Sequence, residues 1–324
     1  MGKKVLPYFE PIYRTYNHMA CLGVCAQGDP QMNYWALNNY TSWVCSRNSF
    51  RQQKSPQIGI PYASIWRTPP FFYHWRTAKK YVNNCYAEVF KAFINDGYYV
   101  YFTNVDDYYI KMKSAYKRYH FPHDGVITGY DEDKKVFYIS AYSKSGHFEN
   151  MEIPTAEFGR AWHSKYNNDD PNDGTIVILK IVPDKGYTPD NNKMLNDIDE
   201  YVRSVVTPNS DSNDLVFGLK VYDELNAFFD AVVAGDCPCH DTRLLRIIYE
   251  HKLSMYRRLE YLCKESIVSP EIVDSYKMVL DTANKSCMLH LKYVITNNKG
   301  CLNKIQQNIN IITDMETRLL SSVG

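Results

Sequence analysis

Three segments of the sequence hold side chains able to act together. The first, YNHMACLGVCAQG, carries Cys21 and Cys25 four residues apart, which is one face of a helix if a helix starts there. The second, KRYHFPHDGVITGYDEDKKVFYISAY, carries His120 and His123 ahead of an alternating apolar and polar run. The third is Cys237-Pro-Cys239-His240. A thiol near a helix N-terminus has its thiolate stabilised by the helix dipole, and a neighbouring imidazole adds to this. Cysteine and histidine would then be nucleophile and base, a pair able to take up an acyl group as a thioester. Spacing alone leaves both Cys21 and Cys25 open as the nucleophile, and small buried core positions suit both equally well.

His123 is the better-placed base. It directly precedes the alternating run, and Pro122 favours an extended approach; His120 reads as a solvated or supporting residue. Asn17, four before Cys21, is placed to donate to an oxyanion beside the cysteine's own N–H, and it suits a helix cap as well. A carboxylate or amide across the hairpin, near residue 141, would orient the imidazole. The chain has Ser140, Ala141 and Tyr142 there, and the Ala141 side chain cannot hydrogen-bond. Thiolates and imidazole are zinc ligands, but the Cys237–His240 group lacks a second ligand pair at a customary spacing, so a loop between helices is expected and no metal. No glycine-rich phosphate loop is present.

The elements that must position these residues change character near residue 185. Before it, β-like runs cover 98–104, 125–129, 136–142 and 175–182, and apolar spacing of three and four predicts a helix over 81–95, stopped by Gly97. After the turn-rich PDKGYTPDNN, the pattern is helical to the end. Asp241 is a candidate N-cap, Ser269-Pro270 a cap followed by proline at the first helical position, and a last amphipathic segment spans 301–320. An α+β domain over 1–185, with an antiparallel sheet, and a helical domain over 186–324 are expected.

With 37 basic and 36 acidic residues in 324, the net charge of +1 argues against a general nucleic-acid-binding surface. No apolar stretch is long enough for a membrane span or a signal peptide. Nine cysteines without an export signal predict mostly free thiols and a cytoplasmic location. The charged stretch 243–264 reads as a solvated helix face, with carrier docking the sharper alternative.

Taken together, "CL…C", "H..HDGVITGYD….VFYISAY", "TIVILKI", "FGLKVYDEL", "RLLRIIYEHKLSMYRRLEYL" and "LKYVIT" resemble bacterial papain-fold proteins of the butirosin-biosynthesis-protein-H-like kind, cousins of the C39-type double-glycine peptidases. The resemblance spans most of the chain, and the histidine with the Gly-Tyr-Asp hairpin is its most specific part. It implies a papain-like N-terminal domain with Cys21 as nucleophile, Cys25 as the alternative, and His123 as base. It also implies an Asp where this chain has Ala141. A dyad, another orienting group, or a deliberate Asp→Ala change would each account for that departure.

The implied activity is amide-bond formation in thiotemplated (nonribosomal-peptide-like) antibiotic biosynthesis, as in the amide synthases of closthioamide-type assembly. The acyl group would arrive on a phosphopantetheinyl carrier protein and leave on a small amine or diamine, with no cofactor of the enzyme's own. A homodimer is compatible with this reading. The alternatives are a cysteine peptidase or amidase and an inactive papain-like binding module.

Overall fold

The computed structural model describes residues 2–53, 55–167, 174–183, 185–206 and 214–323. In chain order it forms β1 (Lys3–Val5), α1 (Asn17–Ala26), α2 (Pro30–Asn39), β2 (Val44–Ser46), α3 (Ser49–Gln53) and β3 (Ile58–Gly59). There follow β4 (Phe72–Ala78), α4 (Tyr86–Asn95), β5 (Tyr99–Asp106), β6 (Pro122–Asp131), β7 (Val136–Tyr142), β8 (Phe148–Pro154), α5 (Thr155–Trp162) and β9 (Thr175–Ile181). The remainder is α6 (Asn191–Arg203), β10 (Leu215–Phe217), α7 (Val221–Ala234), α8 (Arg243–Lys264), α9 (Pro270–Thr296) and α10 (Gly300–Leu320). The class is mixed α+β with antiparallel sheets.

The chain divides into two compact units, Met1–Met32 with Ser64–Tyr187, and Asn33–Ala63 with Thr188–Gly324. One boundary falls close to the expected change at 185. The segment 33–63 belongs with the C-terminal helices, because its short strands β2 and β3 continue a sheet that β10 begins.

In the first unit the sheet runs β4-β9-β5-β6-β7-β8, with β1 also pairing β6. Strand β5 is followed along β6 only as far as Val100↔Ile127, and β1 takes over that edge with Val5↔Gly129. Glycine is needed at 129 because a Cβ there would lie 2.6 Å from the Lys4 carbonyl oxygen. Side chains alternate along β5, so Tyr99 and Tyr101 share one face and Val100 and Phe102 the other. Phe102 meets Phe158 of α5 at 5.3 Å between ring centroids. Helix α1 packs against β6, β7 and β9.

The helix expected over 81–95 begins only at Tyr86, after a separate 3-10 turn over Lys79–Tyr81. The stretch FGL before α7 is the end of β10 and the start of another 3-10 turn rather than helix. Gly235 closes α7 in the left-handed conformation, as a C-terminal glycine does, and Ser269-Pro270 opens α9. In the turn-rich connection, Asp184 lies outside the described residues. No described helix is long and apolar enough to cross a membrane.

Candidate functional site

Helix α1 is buried almost all round; only His18 among its ten residues is partly exposed. Gly23 permits this burial, since a Cβ at that position would lie 2.4 Å from Pro11 Cβ. Cys21 and Cys25 are 0% and 1% exposed, and the Cys25 thiol donates to the Cys21 carbonyl at 3.1 Å. Burial pushes the Cys21 thiol well above its usual range, with the Asp124 charge and Cys25 adding to the effect and Lys113 opposing it. Burial does the same to Cys25. Cys21 is also the fifth residue of α1, beyond the first turn where the dipole acts. The expected thiolate is therefore not what this geometry favours, since burial favours the neutral form of both thiols.

The residue of α1 that meets His123 is Asn17. Its Nδ2 lies 3.4 Å from both ring nitrogens of His123, so it selects neither tautomer. The same nitrogen donates to Asp124 Oδ1 at 2.9 Å and to the Asp124 carbonyl at 3.0 Å. Tyr101 donates its hydroxyl to Asp124 Oδ2 at 2.7 Å. Asn17 thus binds Asp124 through its amide nitrogen. Among the described residues no hydrogen bond joins Cys21 to His123.

His123 enters from the start of β6, opposite Val105 of β5. Its Nδ1 is 3.4 Å from Asp107 Oδ2, and its Nε2 is 3.6 Å from Asp124 Oδ1. Asp107 is itself held by Lys113 at 3.5 Å, with both side chains nearly buried. The carboxylate beside Nδ1 therefore comes from the turn after β5. Ala141 is wholly buried on β7 and pairs with Glu149 of β8. The β6–β7 register, Val126↔Ser140, puts it level with residue 125, two positions beyond His123.

His120 forms a separate cluster. Its Nδ1 lies 2.7 Å from Asp106 Oδ2, and Ser164 donates to the same oxygen at 2.7 Å. Its ring is stacked against Tyr108 at 4.3 Å and Tyr166 at 3.6 Å. Burial pushes the Asp106 carboxyl up, but hydrogen bonds from Ser164, His120 and the Phe121 and Tyr108 amides outweigh it and hold the group below its usual range. Ser164 meets the carboxylate and not the imidazole, so this is no nucleophile–base relay.

A cavity of about 580 Å³ opens over His123 and Asp124. Trp66, Tyr101 and Phe121 supply aromatic walls, and His18, Thr103 and Asn104 further polar groups. Trp66 stands edge-on to Tyr101 at 5.7 Å, with the Arg76 guanidinium 5.4 Å from its ring. Burial lowers the affinity of His18 for a proton, against the opposing pull of Asp124. Neither Cys21 nor Cys25 lines this cavity.

Sequence reasoning passed over His18, Trp66, Tyr101, Asp107 and Asp124. Asp124 directly follows His123, but strand alternation assigns such a neighbour to the opposite face. Both reach one cavity because they lie at the strand's end, next to a register shift between Phe102 and Val105. In the Cys237–His240 segment, Cys239 Sγ lies 3.4 Å from His290 Nε2, and His240 stacks on Tyr293. Among the described residues no group of three or more His, Cys, Asp or Glu side chains is arranged to hold a metal ion. All nine cysteines are free. No family model matches the chain, and no curated protein matches it.

Proposed function

We propose that the first unit is a papain-like (C39-type) domain whose cavity binds a small ligand without forming a covalent adduct on Cys21. One observation carries this reading: an amide, Asn17, occupies the first turn of α1 against His123, while the Cys21 thiol is sealed one turn further on. The remaining features suit recognition. Aromatic walls with a few fixed polar groups are what a small-molecule site requires. Tyr101 and Asn17 clamp the Asp124 carboxylate, which is thereby ready to accept from a donor or cation on the ligand. Free cysteines support a reducing, cytoplasmic setting.

A second reading is favoured by Asp107 and Asp124 on either side of the His123 ring, which hold the imidazole as a positioned base would be held. In this reading the chain is an amide-forming acyltransferase without a cofactor of its own. The Cys21 sulfur attacks a carrier-bound thioester, the carrier thiol leaves with the Cys21 proton, and an amine or diamine then displaces Cys21, giving the amide and returning a proton to the Cys21 sulfur. It requires the Cys21 thiol and the His123 imidazole, which share no hydrogen bond among the described residues, to be brought together. Water in place of the amine would make the same machinery a hydrolase.

Exposure of the full chain to an acyl-thioester, followed by intact mass measurement, tests the proposal. Unmodified protein, with saturable binding of acyl and amine fragments weakened by Asp124→Asn, is the expected result. A mass increase by one acyl group that Cys21→Ala abolishes would overturn it in favour of acyl transfer.

A further inference from the structure

Helices α9 and α10 fold back on one another through residues 297–299 and enclose a groove of about 620 Å³ in the second unit. Asn308 Nδ2 donates to Ser286 Oγ at 3.1 Å, tying the two helices together beneath it. The helical period places Met288, Leu291 and Ile295 in one stripe along α9. They are 56%, 44% and 82% exposed, and Ile311 of α10, on the same face as Lys304, is 46% exposed. Met288 lines the groove with Leu289, and Leu291 and Ile295 continue the exposed apolar stripe along α9, which is unusual on a surface that stays bare.

Lys285, Lys292 and Lys304 line the groove, and no carboxylate does. None of the three lysines forms an ion pair among the described residues. The charge decides between occupants. A second copy of the chain placed on this face by two-fold symmetry would set the same lysines against these, which costs free energy. A helix with an apolar stripe and acidic flanks satisfies both features at once. The wall from Asn284 to Lys292 spans about 12 Å, or about two helical turns, enough for anchors at i, i+4 and i+7.

We infer that the groove between α9 and α10 is a docking site for an acidic amphipathic helix of a partner protein. Apolar anchors enter beside Met288 and Leu289, and flanking Asp or Glu residues pair with Lys285, Lys292 and Lys304.

The test titrates the full chain with two fluorescein-labelled synthetic helices. They share leucines at i, i+3, i+4 and i+7, and carry flanking glutamates in one and flanking lysines in the other. Saturable binding of the glutamate peptide alone is expected. It should weaken about tenfold or more in the triple variant K285E/K292E/K304E, and again on raising salt to about 0.5 M. All three lysines are exposed, so circular dichroism should be unchanged in that variant. A second variant, M288D/I295D, keeps the lysines and should lose binding as well. No binding, equal binding of the lysine peptide, or indifference to the triple variant would overturn the inference. Flotation of the chain with phosphatidylglycerol vesicles, lost in the triple variant, would replace it with a lipid surface. A dimer in sedimentation that M288D/I295D dissociates would replace it with self-association.

Discussion

Asn17 is the residue on which the site turns. Its amide holds the Asp124 carboxylate, so Asn17→Ala removes a hydrogen bond to a charged group and should cost about 1.5–3 kcal/mol in urea denaturation. A loss below about 0.5 kcal/mol would show that the bond contributes little. Asn17→Cys is more telling. It puts a thiol on the first turn of a helix beside an imidazole, two features that favour thiolate against the opposing Asp124 carboxylate. The introduced thiol should react with iodoacetamide at least about tenfold faster than Cys21 or Cys25, read by peptide mapping. In the unaltered chain, the exposed Cys85 should be alkylated first, and Cys21 only on unfolding.

A buried ion pair in the second unit makes a sharper demand. Lys252 and Glu316 are both fully buried at 2.8 Å, and Tyr201, Tyr222 and Tyr276 donate to the same carboxylate. Lys252→Met alone strands Glu316 and should cost about 3–5 kcal/mol, while the double change Lys252→Met with Glu316→Gln should cost clearly less. Equal losses in a denaturation cycle would mean that the two charges are not coupled.

At the scale of elements, α1 is held in place by close approach. Gly23→Ala should gain about 0.8–1 kcal/mol from helix propensity. Against this stands a Cβ 2.4 Å from Pro11 Cβ, which neither residue can relieve without moving backbone. Overpacking of this kind costs about 1–3 kcal/mol, so a net loss of stability is expected. A raised denaturation midpoint would show that the chain at Pro11 yields.

Long periodic elements were legible from residue pattern alone. The apolar run of β9, the run that became β7, and α9 with its Ser-Pro start lie where the pattern puts them. The strands β2, β3 and β10 were not legible, since two or three residues carry no period. Strand β4 was missed for another reason. Its burial pattern shows four consecutive exposed residues at the edge of the sheet, so no apolar alternation announces it.

For the molecule as a whole, three histidines drawn away from water contribute to the response to pH. Burial is the first cause that holds His18, His251 and His290 below the ordinary histidine value of about 6.5. Below that value the unfolded chain binds protons that the folded chain resists, so stability falls as pH falls. The contribution is fully present above about pH 6.5 and is lost progressively towards more acid conditions. Urea midpoints at about pH 7.5 and 5.5 measure it, and a midpoint unchanged or higher at the lower pH would contradict the assignment.

Residue types and spacing by themselves determined the α+β character, the change to helices near residue 185, and the histidine-bearing hairpin as the place of interest. Those features rest on local periodicity, which each segment expresses alone. Tertiary structure decided which groups meet. Asn17 rather than Cys21 contacts His123, and the carboxylate beside the ring is Asp107 from the turn after β5 rather than a residue near 141. It also decided that segment 33–63 completes the second unit. Such choices depend on register, on which turn of a helix reaches a strand end, and on burial. These are relations between distant segments that no single stretch of sequence contains.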